Sequence, residues 1–294
     1  MIDALNRSIN GGKAKITKHL GIPERKNALA GADFVVNAIQ VGGYEPCTVI
    51  DFEIPKKYGI RQTIGDTLGI GGIFRALRTI AVMRGFAEDI EEVCPDAWFL
   101  NYTNPMAMLS GYMQRYTNVK TVGLCHSVQT CSAGLLDSLG MKDRIEGRRD
   151  LIAGINHMAW LLEITRNGED LYPLIKQKAK EGPVYDTYAE YRKFYRQIPQ
   201  VEGEFSVTNH DDMVRFELMQ KFGYYVTESS EHSAEYYPYF IKKNHPELIE
   251  QFNIPLDEYP RRCRIQIEDW EALAERLVND ENLTHTHSRE YASG

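Results

Sequence analysis

The chain has 294 residues, a formal net charge of -7 and 43% hydrophobic residues, the balance of a soluble globular protein with room for one large domain or two smaller ones. The acidic balance, without a basic stripe, gives no reason to expect nucleic acid as a partner, and no apolar run approaches a membrane span. The five cysteines, at 47, 94, 125, 131 and 263, are odd in number and form no Cys-x-x-Cys, which argues against a disulfide scaffold and for a reducing cytoplasm. The N-terminal Met-Ile-Asp-Ala-Leu-Asn-Arg also lacks the basic-then-apolar order of a secretion signal.

In chain order, residues 1–30 read as a polar helix end, a Gly-Gly turn at 11–12 and a short basic stretch. Asp33 to Gln40 is an apolar run before Val-Gly-Gly, read as a buried parallel strand and its exit loop. Residues 44–70, with Pro46, Pro55 and several glycines, read as irregular. A helix is expected from about Ile73 to Val93 and a strand from Ala97 to Tyr102. Asn104-Pro105 then reads as a helix start, with Asn as cap and Pro at the first helical position, and the helix runs to about Tyr116. Val119–Leu124 is a third strand, Ser127–Leu139 a helix and Asp150–Ile155 a fourth strand. This alternation with short connections points to a parallel sheet with helices on its faces.

After Asn156 the texture changes. Ala159–Arg166 reads as a strand, Asn167-Gly168 as a tight turn, and helices are expected near 211–222 and 261–279. There is no Gly-x-Gly-x-x-Gly between a first strand and a helix, and no following strand ending in a ribose-binding acid. The first clear strand already looks like a middle strand, and the chain stops at Ser288–Gly294 in mid-pattern. The expected fold is therefore α/β: a Rossmann-like parallel sheet lacking its first strands (residues 1–155), followed by an incomplete α+β substrate domain (residues 156–294), truncated at both ends relative to a complete enzyme.

Three short pieces, at 101–106, 123–129 and 154–160, each follow a strand-like run, and strand ends are where open α/β sheets bind ligands. Cys125 and His157 either ligate one divalent ion, for which a thiolate with an imidazole suits Mn, Fe, Co, Ni or Zn, or are a core cysteine and a satisfied histidine. Cys125 and His126, as neighbours at a strand end, point to opposite faces and cannot form a Cys–His dyad there. Asn104 is either a helix cap or an amide bonding a sugar hydroxyl. Gly69, Gly71 and Gly72 are a weak signal for a phosphate cradle. The polar, aromatic run from Thr227 to Pro238 is a solvated loop or a wall of the site.

Several segments in one order and spacing resemble glycoside hydrolase family 4, in its α-galactosidase branch. They are residues 38–48 (AIQVGGYEPCT), 66–72 (DTLGIGG), 75–80, 102–108 (YTNPMAM), 122–129 (VGLCHSVQ), 153–159 (AGINHMA), 226–232 (VTESSEH) and 288–293. Cys-His-Ser-Val is the form associated with α-galactosidases; the α-glucosidase branch has Cys-Asp there. The resemblance implies a mechanism outside two-carboxylate chemistry. NAD⁺ takes a hydride from C3 of the sugar, a divalent ion, usually Mn²⁺, stabilises the enediolate, a tyrosine removes the C2 proton, and the aglycone leaves by elimination before water adds and the hydride returns.

Carried over by position, Cys125 and His157 resemble the metal ligands. Asn104, Asp66, Asn156 and Arg289 resemble substrate-contacting residues. Tyr236 is the candidate base and His126 the candidate acid that helps the aglycone leave. Gln40, Gly42 and Gly43 resemble the cofactor-side loop. The implied partner is a small-molecule α-galactoside, and the complete enzyme is expected to be a homo-oligomer. Two departures stand out: the glycine-rich N-terminal loop is missing, and Gly-Ile-Gly-Gly replaces the common Gly-Pro-Gly-Gly. Without the loop's backbone donors to the pyrophosphate, this chain is expected to bind NAD⁺ poorly. A lactate/malate-type 2-hydroxy acid dehydrogenase, a non-catalytic remnant, and α-glucosidase or α-glucuronidase activity are the competing readings.

Overall fold

A computed structural model describes residues 2–185, 204–205 and 210–279. Its first half is built on a parallel sheet of β1 (Phe34–Asn37), β2 (Trp98–Asn101) and β3 (Lys120–Gly123), in that spatial order. Register places Asn37 beside Asn101, and Asn101 beside Gly123. The helices of this half are α1 (Ile2–Asn10), α2 (Arg25–Leu29), α3 (Val49–Lys57), α4 (Gly69–Val93), α5 (Met106–Tyr116) and α6 (Ser127–Ser138). Met83 and Ile90 of α4, Leu109 and Met113 of α5 and Phe99 of β2 meet in one buried cluster. Their spacings of seven, on α4, and four, on α5, keep each helix's apolar stripe on the sheet. Burying each such side chain contributes roughly 1.5–3 kcal/mol.

Three expectations are corrected here. Residues 44–70 are irregular only over 58–68: before that, a kinked turn at Gly43–Thr48 leads into α3. Pro55 sits in the last turn of α3 and cannot donate to Asp51, four residues back. The Asp51 carbonyl accepts instead from the Gln62 side chain at 2.8 Å. Second, α4 begins at Gly69, so Gly71 and Gly72 lie in its first turn. A Cβ on Gly71 would come within 2.4 Å of the Gly65 carbonyl, and one on Gly72 within 2.6 Å of Thr67 backbone. These glycines let the helix start pack directly on the 62–67 loop.

Third, the strand expected at Asp150–Ile155 is not part of the parallel sheet. It is β4 (Arg148–Ile155), antiparallel to β5 (Met158–Arg166), with Ile155 opposite Met158. Only Asn156 and His157 connect them, and a two-residue connection permits only antiparallel pairing. β4 thus pairs across the division expected at 155. Asn167 and Gly168, with φ of 52° and 83°, make the expected tight turn to β6 (Glu169–Asp170).

The remainder comprises α7 (Tyr172–Glu181), a pair of short strands β7 (Val184–Tyr185) and β8 (Glu204–Phe205), α8 (Met213–Phe222), β9 (Tyr225–Val226), α9 (Ser230–Tyr236), α10 (Glu247–Gln251) and α11 (Glu258–Asn279). β9 adds to β5 through Trp160–Val226 and Leu161–Tyr225. A core of Leu135, Leu136, Leu161, Ile164, Ile175 and Met219 joins α6, β5, α7 and α8. No helix among the described residues is long and apolar enough to cross a membrane.

Candidate active site

The two sheets bring Cys125 and His157 together. Cys125 follows β3, where the Leu124 amide still donates to the Asn101 carbonyl at 3.0 Å, and α6 starts two residues later. His157 is carried on the β4–β5 turn rather than at a parallel strand end. Its Nε2 lies 3.2 Å from Cys125 Sγ. Burial on its own would raise the Cys125 thiol, but hydrogen bonding and charge from His157 outweigh it and leave the thiol below its ordinary value. Burial would lower His157; the Cys125 bond and the Glu228 carboxylate raise it to about 9 instead. Each group thus favours the charged form of the other, against the cost of burial.

The other face of His157 is fixed by the 62–67 loop. The Thr67 hydroxyl donates to Asp66 Oδ1 at 2.8 Å and lies 2.9 Å from His157 Nδ1. A hydroxyl has one hydrogen; spent on Asp66, it leaves Thr67 to accept from Nδ1–H. Nε2 is thus the nitrogen turned toward Cys125. Asp66 also accepts from Asn104 Nδ2 at 3.1 Å, and Arg75 Nη1 stands 3.9 Å from its Oδ2. The expected cap is displaced: Pro105 takes the N-cap position and the helix starts at Met106, one residue later than expected, while Asn104, just outside it, accepts the Met106 amide on Oδ1 at 3.2 Å.

Buried asparagines hold this corner. Asn37 donates to Asn101 Oδ1 at 2.8 Å, Asn101 donates to Ser110 Oγ at 3.1 Å, and Thr103 Oγ1 donates to the Ile39 carbonyl at 3.1 Å. The exits of β1 and β2 are so locked side by side. One leads to Gln40, Gly42 and Gly43, the other to Asn104. A cavity of 180 Å³ opens between them, lined by Gln40, Val41, Asp66, Arg75, Asn104 and Tyr259 among others. Gln40 Nε2 donates to Thr48 Oγ1 at 3.1 Å, and Arg78 Nε donates to the Val41 carbonyl at 3.1 Å. At Gly42, φ is 84° and a Cβ would fall 2.2 Å from Cys47 Sγ, so only glycine fits this bend. A larger cleft of 620 Å³, between Ile80 and the α5 residues Ala107 to Tyr116, lies away from these side chains.

The Thr227–Pro238 run proves to be a wall of the site. Glu228 Oε2 is 3.6 Å from His157 Nε2. His232, buried on α9, has its ring centroid 4.8 Å from that of His157, and its Nε2 is 4.0 Å from Asp66 Oδ1. Burial first, then the charge on His157, hold His232 well below its ordinary value, so it is a neutral imidazole. Tyr236 packs at 6.0 Å from the His232 ring, and its buried hydroxyl lacks a hydrogen-bond partner. Burial, then the Asp66 and Glu235 carboxylates, raise this phenol well above its ordinary value. Tyr237 turns the other way, toward Trp160 at 6.1 Å and Phe222 at 6.4 Å. Glu235 ties α9 to the opposite loop by accepting the amides of Thr63, Ile64 and Gly65 at 2.8, 3.2 and 2.8 Å.

The sequence-derived residues therefore separate into groups. Cys125, His157, Asp66, Asn104 and Tyr236 converge. Asn156 lies beside His157, and its Oδ1 is buried without a partner. His126 is exposed at the start of α6, its ring 6.4 Å from that of Tyr102. Gln40 lines the cavity, and Gly42 and Gly43 follow in the bend beyond it. Arg289 lies outside the described residues. Thr67, Glu228 and His232 belong to the site without having been assigned a role from sequence. Glu228 and His232 are four apart; Glu228 precedes α9, and its Oε1 lies 3.7 Å from His232 Nδ1.

Residues 1–141 match the family 4 glycosyl hydrolase domain and residues 152–294 match the family 4 glycosyl hydrolase C-terminal domain. The chain belongs to glycoside hydrolase family 4. An α-galactosidase of Bacillus subtilis is 62% identical over 270 residues, covering 92% of this chain and 57% of that protein. The structure of a putative glucosidase, lplD, from Bacillus subtilis superposes with a TM-score of 0.68 at 28% identity, over 86% of this chain and 57% of that one. A 6-phospho-α-glucosidase from gut microorganisms, crystallised with NAD and Mn²⁺, shares the fold at a TM-score of 0.59 and 23% identity, over 85% and 54%. The chain spans about half the length of the curated relatives it matches.

The side chains here fit a divalent metal. A thiolate, an imidazole with its bonding nitrogen turned inward and a carboxylate have donor atoms all within 4.8 Å of one another. Asn156, next in sequence to His157, has a buried Oδ1 without a hydrogen-bond partner. The 180 Å³ cavity matches a single ring, such as a nicotinamide or a sugar, in size.

Proposed function

We propose that this chain carries the catalytic site of an α-galactosidase that depends on NAD⁺ and a divalent metal, Mn²⁺ or a similar transition ion. The observation that carries the reading is the meeting of Cys125 and His157 at 3.2 Å beside the Asp66–Asn104 pair. The 62% identity to an α-galactosidase supports this substrate class over the glucoside-type alternatives. Membership in family 4 favours it over a 2-hydroxy acid dehydrogenase.

When bound, the cofactor supplies reversible hydride removal that acidifies the neighbouring C–H, and the ion supplies Lewis-acid polarisation of the sugar's vicinal oxygens. Cys125 and His157 hold the ion. Asn104 and Asp66 orient the sugar hydroxyls, with Asn156 offering its free carbonyl oxygen. Tyr236, buried with its ring 6.0 Å from that of His232, is assigned to remove the sugar C2 proton, and it needs nearby positive charge to ionise. His126, at the exposed rim, is placed to meet the aglycone. Gln40 on the cavity wall, with Gly42 and Gly43 in the bend that follows it, is assigned to the cofactor.

In this reading residues 1–155 contribute the cofactor side and Cys125, and residues 156–294 the metal histidine and the substrate wall. The need for a free thiolate at Cys125 supports a cytoplasmic, reducing location. The partner is a small α-galactoside, and homo-oligomerisation of the whole protein rests on the family resemblance. The test is hydrolysis of an α-galactoside in D₂O. Removal and return of the C2 proton predicts solvent deuterium at C2 of the released galactose; full retention of the original hydrogen there overturns the mechanism.

A further inference from the structure

We propose that Glu228 is a third protein ligand of the metal, completing a Cys125–His157–Glu228 donor set; this rests on the proposed metal site above. Cys125 Sγ and His157 Nε2 are 3.2 Å apart, and His157 Nε2 and Glu228 Oε2 are 3.6 Å apart. The three donor atoms lie within 4.8 Å of one another. Donors held about 2.0–2.3 Å from one ion stand roughly 3–3.5 Å from their neighbours, so small side-chain adjustments bring all three onto a common centre.

A second trio, Asp66, His157 and His232, is equally compact. It is the weaker metal site, because the Thr67 hydroxyl already occupies His157 Nδ1. Only Nε2 is open, and it faces Cys125 and Glu228. The carboxylate also changes the site's character. A thiolate plus a carboxylate balance a divalent charge, where a thiolate with a neutral imidazole leaves one positive charge over. Adding an oxygen donor moves the preference toward harder ions such as Mn²⁺. The remaining coordination positions stay open for sugar oxygens and water.

Cobalt serves as the probe, because its ligand-field bands report donor number and its near-ultraviolet charge-transfer band reports thiolate bonding. The purified chain would be titrated with Co²⁺ alone, as wild type, Glu228→Gln, Glu228→Asp and Cys125→Ser. Expected is a thiolate band in wild type that persists in Glu228→Gln. The glutamine variant should bind at least about tenfold more weakly, with shifted ligand-field bands, and Glu228→Asp should fall between. Metal-free thermal unfolding of Glu228→Gln should match wild type, which separates ligation from folding. Weakened binding with unmoved ligand-field bands would place Glu228 outside the coordination sphere and overturn the proposal. So would unchanged affinity in Glu228→Gln. Absence of a thiolate band in wild type would overturn the metal site itself, a failure distinct from that of Glu228.

Discussion

Cys125 Sγ and His157 Nε2, 32 positions apart in sequence, face each other at 3.2 Å. A parallel strand end delivers the first and an antiparallel hairpin turn the second, so the pair forms only where the two sheets meet. Its chemistry follows from burial and mutual charge: a thiol drawn below its ordinary value and an imidazole raised to about 9. A metal ion bound between them would displace the protons these two groups carry.

Cys125 should be the most readily alkylated of four cysteines in the metal-free chain. Burial raises the thiols of Cys94 and Cys263, and pushes Cys131 up to about 12. Thiolate is the reactive form. Iodoacetamide at pH 7, read by peptide mass spectrometry, should label Cys125 ahead of those three, and Mn²⁺ should slow that labelling. Equal labelling of Cys125 and Cys131 contradicts the pairing.

Thr67 should matter through its hydroxyl alone. Thr67→Val keeps the shape but removes the acceptor that fixes His157 Nδ1–H. Losing such an orienting partner typically costs about 10–100-fold in metal affinity. Thr67→Ser should restore most of it. A Mn²⁺ titration of both variants separates the hydroxyl's role from that of the methyl group.

Tyr236 and Tyr237 should differ sharply. Tyr236→Phe removes the phenol that faces His232 and should lower kcat by about 10²–10⁴ if that group moves the proton. Tyr237→Phe leaves the packing on Trp160 and should stay within a few-fold of wild type. The reverse ranking would move the base to Tyr237.

Glu235 should impose a pH dependence on stability. Burial lifts its carboxyl from an ordinary 4.5 to about 7. Between these values the folded chain keeps a proton that the unfolded chain has released. The group's stabilisation is therefore whole below about 4.5 and is lost as pH rises through about 7, a change on the order of 3 kcal/mol. Urea midpoints at pH 5 and pH 8 should show the fall in wild type and a flatter profile in Glu235→Gln, whose one amide oxygen can replace Oε2 as acceptor for the Thr63 and Ile64 amides but leaves the Gly65 amide without its Oε1 acceptor.

The parallel strands and the helices after them were legible because short apolar runs alternate with long helical stripes. The partner of β4 was not, since a strand's own residues do not name its neighbour. The two-residue link at Asn156-His157 held that information and was overlooked. The α3 helix was hidden by Pro55, which is harmless there because Gln62 satisfies the carbonyl it leaves free. At the site, Cys125, His157, Asp66 and Asn104 were found through strand ends and motif likeness. Thr67, Glu228 and His232 were not assigned, because they act across tertiary contacts that no local pattern reports. The i, i+4 spacing of Glu228 and His232 was the one available clue.

The most direct measurement is cleavage of an aryl α-galactoside by this chain with NAD⁺, Mn²⁺ and a thiol reductant, omitting each in turn. The account predicts cleavage that needs all three, that calls for a high NAD⁺ concentration because the glycine-rich loop is missing, and that disappears in Cys125→Ser. Cleavage that persists without NAD⁺ or without the metal would contradict it.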